Sequence, residues 1–245
     1  MKLKIILTIL ILLFCRVGFC AVEDFANDWT ETDPNNRLSQ TTTRSTYTAL
    51  TLDELAYLNR DSGVSFTEDW DIAFDFYVDS ASDTVSGIGT GLYSPHNLNF
   101  NDGGDNNALV GIYNWDDSKV FVTLVAAEKD GPTADTDFDN TTLNLNTVYY
   151  ARFRRDDDAG TNGTLYLDIY ASSTNRDNDA SVLVSLETAI TVYGKIDFTF
   201  ATCPFSEDFD VGNNFLTGYI ENLVLAYVPP PTANTTDFFQ ILLSY

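Results

Sequence analysis

The chain is poor in the residues that carry most covalent and metal chemistry. In 245 residues there are three cysteines, one histidine and one methionine. Cys15 and Cys20 fall within the first twenty residues, so beyond them Cys203 stands alone and an internal disulfide is excluded. Lying in the alternating run IDFTFATC, Cys203 is expected to be a buried small hydrophobe. One histidine and one remaining cysteine cannot build a zinc site. His96, in GLYSPHNLNF, has no serine in a nucleophile-elbow context to serve, so it is expected in a loop. No glycine-rich loop with a lysine is present to cradle phosphates.

Positive charge is equally scarce. Basic residues number 13 against 36 acidic ones. With Lys2, Lys4 and Arg16 assigned to a leader, 10 remain against 36, a formal charge of −26. A field of that sign repels phosphate backbones and anionic lipid heads, which excludes nucleic acid as a partner.

Long apolar runs are confined to the start. MKLKIILTILILLFCRVGFCAVED has a basic beginning and an apolar stretch from Ile5 to Cys15, then small residues before an acidic segment, as a secretory signal does. Cleavage is expected after Cys20, giving a signal peptide over 1–20 and a secreted or cell-surface chain. Lipidation at Cys20 would call for a small residue before it, where Phe19 stands. The run is short for a bilayer and is interrupted by Arg16, so no membrane span is expected in the mature chain.

Period-two alternation fills the remainder. In WDIAFDFYVDS, Trp70, Ile72, Phe74, Phe76 and Val78 point one way, while Asp71, Ala73, Asp75, Tyr77 and Asp79 point the other, as in a strand with one wet face. ALVGIYNW, KVFVTLVAAE, VYYARFRR, TLYLDIYAS, SVLVSLE, IDFTFATC and NFLTGYIENLVLAY read alike. Between them NDGGDNN, DDDAGTNG, NRDND and DVGNN supply turn chemistry. The expected fold class is therefore all-β, a two-sheet antiparallel sandwich over residues 21–228. One segment, TLDELAYLNRD, spaces Leu52, Leu55, Ala56 and Leu58 as a short helix would. A strand, turn and strand competes there, because TTTRSTYTAL before it is β-branched.

After Val228 three prolines mark the domain edge, so 229–245 is a Pro-rich linker with an apolar tail, DFFQILLSY. That tail is expected to dock on the domain or stay loosely ordered; the sharper alternative is self-association through residues 237–245, added as a strand to a neighbour's sheet.

The run Asp156, Asp157, Asp158 between two alternating strands raises the question of a metal site. Three successive side chains of an extended backbone cannot converge on one ion, and no EF-hand loop surrounds them. A hairpin tip is expected instead, with positive φ at a glycine or at Asn162 and with Arg154 and Arg155 partly neutralising the acids.

The same stretch carries a resemblance. LNTVYYARFRRDDDAGTNGTLYLDIYAS, with Tyr149, Tyr150, Leu165, Tyr166, Leu167 and Ile169, is similar to the late hairpin of laminin-G-like domains in the concanavalin A-like lectin and glucanase superfamily. LTGYIENLVLAY resembles their last strand, and WDIAFDFYV their first long core strand. The resemblance implies a curved jelly roll of two sheets, often with calcium near a rim and often binding glycans or extracellular partners; some relatives are glycoside hydrolases. Those place two carboxylates on one strand face in an E-x-D-x-x-E spacing, since one attacks or polarises while the other donates a proton. TEDWDIAFD lacks the final glutamate and has the wrong order, so its aspartates are expected on a solvated face.

The remaining binding candidate is NFNDGGDNNALVGIYNWDDSKV. Asp102, Asp105 and Asn106 offer hydrogen-bonding groups for sugar hydroxyls, and Tyr113 and Trp115 offer flat faces for the C–H side of a ring. Asp102 and Asp105 are also hard ligands of the kind calcium takes. The expected function is a secreted, non-catalytic lectin-like module for a glycan or another extracellular surface ligand. The alternatives are a glycoside hydrolase or polysaccharide lyase on the same fold, and an assembly protein pairing through its tail.

Overall fold

The computed structural model describes residues 21–51, 56–66, 68–81, 86–93, 106–116, 119–127, 134–194, 198–206 and 215–225. Residues 1–20 (the expected leader), His96, Asp102, Asp105 and residues 226–245 lie outside the described residues.

Among the described residues, fourteen strands form two seven-stranded antiparallel sheets. The first runs β1 (Thr30–Thr32), β4 (Ala56–Phe66), β13 (Phe198–Ser206), β6 (Ser86–Tyr93), β7 (Asn107–Asp116), β8 (Lys119–Ala127) and β9 (Ala134–Asn144). The second runs β12 (Val182–Ala189), β11 (Thr164–Tyr170), β10 (Val148–Asp156), β5 (Trp70–Ala81), β14 (Phe215–Val224), β3 (Arg44–Thr51) and β2 (Leu38–Gln40). A one-turn helix, α1 (Ser173–Asp177), joins β11 to β12, capped by the Ser172 hydroxyl accepting the Asn175 N–H. It occupies part of the segment whose NRDND reads as a turn.

Each alternating run named from the sequence lies in a strand, and its apolar face is the core. Ile72, Phe74, Phe76 and Val78 of β5 meet Ala151 and Phe153 of β10, and Leu165, Leu167 and Ile169 of β11, between the layers. Opposite them stand Ala108, Val110 and Ile112 of β7 with Val120, Val122 and Leu124 of β8. In TLDELAYLNRD the described residues from Ala56 on, Leu58 among them, lie in β4, which pairs with β1 and β13, while Leu52 and Leu55 lie outside the described residues. Over that described part, ladder bonds on both sides outweigh a local helical preference.

Cys203 is fully buried as expected, and burial pushes its thiol up to about 12. The leaderless chain should therefore not react with a disulfide reagent while folded, and should release its thiol only on denaturation; a rapid native reaction would contradict this core position.

The sheet edges are closed by side chains. The Asp135 carboxylate of β9 accepts the backbone N–H groups of Thr191 and Val192 and the Thr191 hydroxyl, and Asp137 accepts the Glu187 N–H of β12. These acids cap open donors that would otherwise invite another strand.

Candidate functional site

Three groups of polar or aromatic side chains compete for attention. The acidic run between β10 and β11 is a hairpin tip. Asp156 Oδ1 accepts the N–H groups of Asp158 and Ala159, and positive φ falls on Gly160 (77°) and Gly163 (94°). Asn162 is not among the positive-φ positions; it contributes its carbonyl to the buried Arg155 guanidinium, which also pairs with Asp157 at 2.7 Å. Arg154 departs from the expected pairing with this run and bonds Asp168 of β11 at 3.0 Å. Every one of these contacts shapes the turn.

The outer face of the second sheet is the second group; Asp69 before β5 is exposed as expected, while Asp71 and Asp75 correct the expectation of a solvated face. Asp75 is 5% exposed and Asp168 3%. Arg152 engages Asp71 through two nitrogens at 2.6 and 2.8 Å, and Arg176 reaches down from α1 to Asp75 at 2.7 Å. Asn222 donates to the other Asp75 oxygen and Ser185 to Asp168. At the far side Arg44 binds Glu221 and lies 3.9 Å over the Tyr219 ring, whose other neighbour is the stacked ring of Tyr77. Burial raises the carboxyls of Asp71 and Asp75, with their arginines opposing the shift. The carboxylates here are spent on arginines, which leaves a closed ionic carpet.

The third group lies on the outer face of the first sheet. Since Ile112, Val122 and Leu124 face the core, the alternate residues face out. The register sets one lateral row across β4, β13, β6, β7, β8 and β9: Tyr57, Phe205, Gly89, Gly111, Thr123, Phe138. Five inter-strand steps make it about 24 Å wide. Strand β6 places Gly87, Gly89 and Gly91 at alternating positions, opposite Tyr113, Gly111 and Leu109, so at these three positions it raises no side chain on this face. The Tyr113 ring covers Gly111, with Cε2 2.3 Å from where a β-carbon would sit. From Tyr113 an aromatic run continues to Phe121 (centroids 5.8 Å apart) and on to Phe138 (5.6 Å). Phe138 is 59% exposed. Burial raises the Tyr113 phenol, with the hydrogen-bonding contact of the buried Thr123 hydroxyl opposing the shift. A partly covered aromatic run ending in an exposed ring can take a ligand with an apolar face.

Of the residues singled out from the sequence, the structure places Tyr113 on this face. Trp115 is two residues further along β7. Asn106 lies just before β7, half-buried, seven residues from Tyr113. At the rise of a strand that is about 24 Å, so Asn106 and Tyr113 belong to opposite ends of β7 and do not form one compact loop site. Phe121 and Phe138 were not expected. Phe138 sits in ADTDFDNTTLN, whose composition is that of a polar connection, and the one available signal was the alternation of Asp135, Asp137 and Asp139 with Thr136 and Phe138. Among the described residues no three His, Cys, Asp or Glu side chains gather to hold a metal, and the calcium candidates Asp102 and Asp105 fall outside them.

No model of a known protein family matches the sequence, and no curated protein matches it. Solved structures do. A legume lectin-like domain from Entamoeba histolytica aligns over 83% of this chain and 92% of its own, with TM-score 0.50 and 8% identity. An endo-β-1,4-glucuronan lyase from the fungus Trichoderma reesei aligns over 86% and 92% with TM-score 0.47 and 9% identity. The alginate lyase Aly36B, in a complex with alginate trisaccharide, aligns over 84% and 89% with TM-score 0.48 and 15% identity. Lectins, carbohydrate-binding modules and polysaccharide lyases share this architecture. Two seven-stranded antiparallel layers among the described residues, together with the likeness to the legume lectin-like domain, show that the chain has a concanavalin A-like sandwich fold.

Proposed function

We propose that the protein is a secreted, non-catalytic lectin-like module that binds a glycan across the outer face of its first sheet. The observation that carries this reading is the run Tyr113, Phe121, Phe138, ending in a ring that is 59% exposed. Sugars offer an apolar C–H face to such rings. Secretion follows from the leader read over 1–20, and a calcium requirement through Asp102 and Asp105 is a separate part of the reading.

A glycan array probed with and without calcium tests the whole. Phe138→Ala should weaken binding of any glycan found by about tenfold, the scale of one aromatic contact with its buried area. Its melting temperature should barely change, because the ring is mostly in water. Leu183→Ala, exposed on β12 of the other sheet, is the control and should bind as the parent does. If a folded Phe138→Ala protein binds at full strength, the face is the wrong one. Release of reducing or unsaturated ends from a bound polysaccharide would replace the non-catalytic reading with an enzymatic one.

A further inference from the structure

The geometry points to a neutral glycan chain, not a polyuronate, as the ligand of the first-sheet face, an inference that rests on the glycan-binding reading above. A binder of acidic sugars must supply cations where the carboxylates fall, because bringing an anion to an uncompensated acidic surface is opposed at long and short range. Among the described residues, the distribution of the few basic groups withholds cations from the row.

Arg44, Arg152, Arg154 and Arg176 all belong to the other sheet and its helix, and each is bound to a carboxylate. Arg155 is fully buried beneath the β10–β11 hairpin, paired with Asp157. On the first sheet, Arg60 of β4 is held by Glu23, and Lys119, the one described cation on the outer face of β8 with Phe121 and Thr123, lies four residues before Thr123 with its ammonium bonded to Asn144 at the end of β9. The row itself presents glycine backbone and the exposed Phe138 ring, and among the described residues no cation interrupts it. The whole chain carries a formal charge of −23, so the surrounding field reinforces the local deficit. The C–H face of a neutral sugar ring, by contrast, meets in such a row the aromatic surface it needs. Its width of about 24 Å, crossing six strands, suits an extended chain over a single sugar.

The test is isothermal titration of the leaderless protein with neutral hexasaccharides (β-1,4-linked glucose, xylose and mannose) and with alginate and polygalacturonate hexasaccharides. Each is measured at about 20 mM and about 0.5 M salt, where the screening length falls from tens of ångströms to a few. At least one neutral chain should bind about tenfold or more tighter than either uronate. Its affinity should be insensitive to salt, whereas residual uronate binding should strengthen as salt rises, the sign of screened repulsion. Phe138→Ala should weaken the neutral ligand. A uronate that binds as tightly as the best neutral chain, or whose binding weakens with salt, overturns the neutral assignment and leaves glycan binding standing. Retained neutral binding by folded Phe138→Ala overturns the placement on this face. No binding of any of the five overturns both the assignment and the reading under it.

Discussion

Gly218→Ala should lower the melting temperature by roughly 6–12 °C, the equivalent of about 3 kcal/mol in a chain of this size. A β-carbon at Gly218 would lie 2.1 Å from the Tyr77 carbonyl oxygen of the neighbouring strand, 2.6 Å from the Tyr47 hydroxyl and 2.9 Å from its ring. The first of these is backbone in the middle of the second sheet, where β14 pairs with β5 across a register shift between Thr217 and Gly218. The second belongs to a fully buried tyrosine whose hydroxyl donates to that same carbonyl at 3.2 Å. Relief therefore demands that β5 or Tyr47 move, and both are fixed by the core. Gly194→Ala makes the comparison clean, because a β-carbon there meets nothing within 4 Å. Thermal unfolding of the two variants beside the parent decides it: Gly194→Ala should match the parent, and a Gly218→Ala protein that also matches within about 1 °C would show that the sheet yields at that point.

That glycine illustrates what could be read from the chain alone. It stands in LTGYIENLVLAY, recognisable as a closing strand, and the alternation of WDIAFDFYV and VYYARFRR sorted the core face of β5 and β10 correctly. Alternation assigns a side chain to a face; it does not say what covers that face. Asp71 and Asp75 were thus expected in water, while the residues that cover and pair with them, Arg152 of β10 and Arg176 of α1, come from 81 and 101 positions away. Strand β6 left no apolar trace because SGIGTGLY gives one face to glycine. At Ala56 and Leu58 the helical spacing gave way to a strand, because β4 is paired on both sides and has no need to alternate cleanly. The candidate site was legible in part for the same reason. Tyr113 lies in a recognisable strand, but its partners Phe121 and Phe138 join it through cross-strand register, which no local window contains.

Breaking the ion pair between α1 and the second sheet should cost about 3–5 kcal/mol by either route, and the two routes should respond differently to acid. Arg176 is 8% exposed and Asp75 5%, and they meet at 2.7 Å with Asn222 on the other carboxylate oxygen. Arg176→Met keeps the stem's packing yet leaves the Asp75 charge buried with only an amide for company. Burial already raises this carboxyl and the arginine opposes the rise, so removing the arginine drives it higher. An acid whose folded-state pKa is raised binds its proton more readily when folded. Its penalty is complete at neutral pH and shrinks as pH falls through the folded value toward the ordinary carboxylate range. The destabilisation of Arg176→Met should accordingly be largest near pH 7.5 and diminish toward about pH 4.5. Asp75→Ala instead leaves the Arg176 guanidinium with its longer contact to Asp177 at 3.4 Å, and because the guanidinium stays charged throughout, the loss should vary much less over the same interval. Urea unfolding of both variants at several pH values separates the cases. Parallel pH profiles would mean that the Asp75 charge is balanced by groups other than Arg176, and that α1 is held to the sheet by its packing.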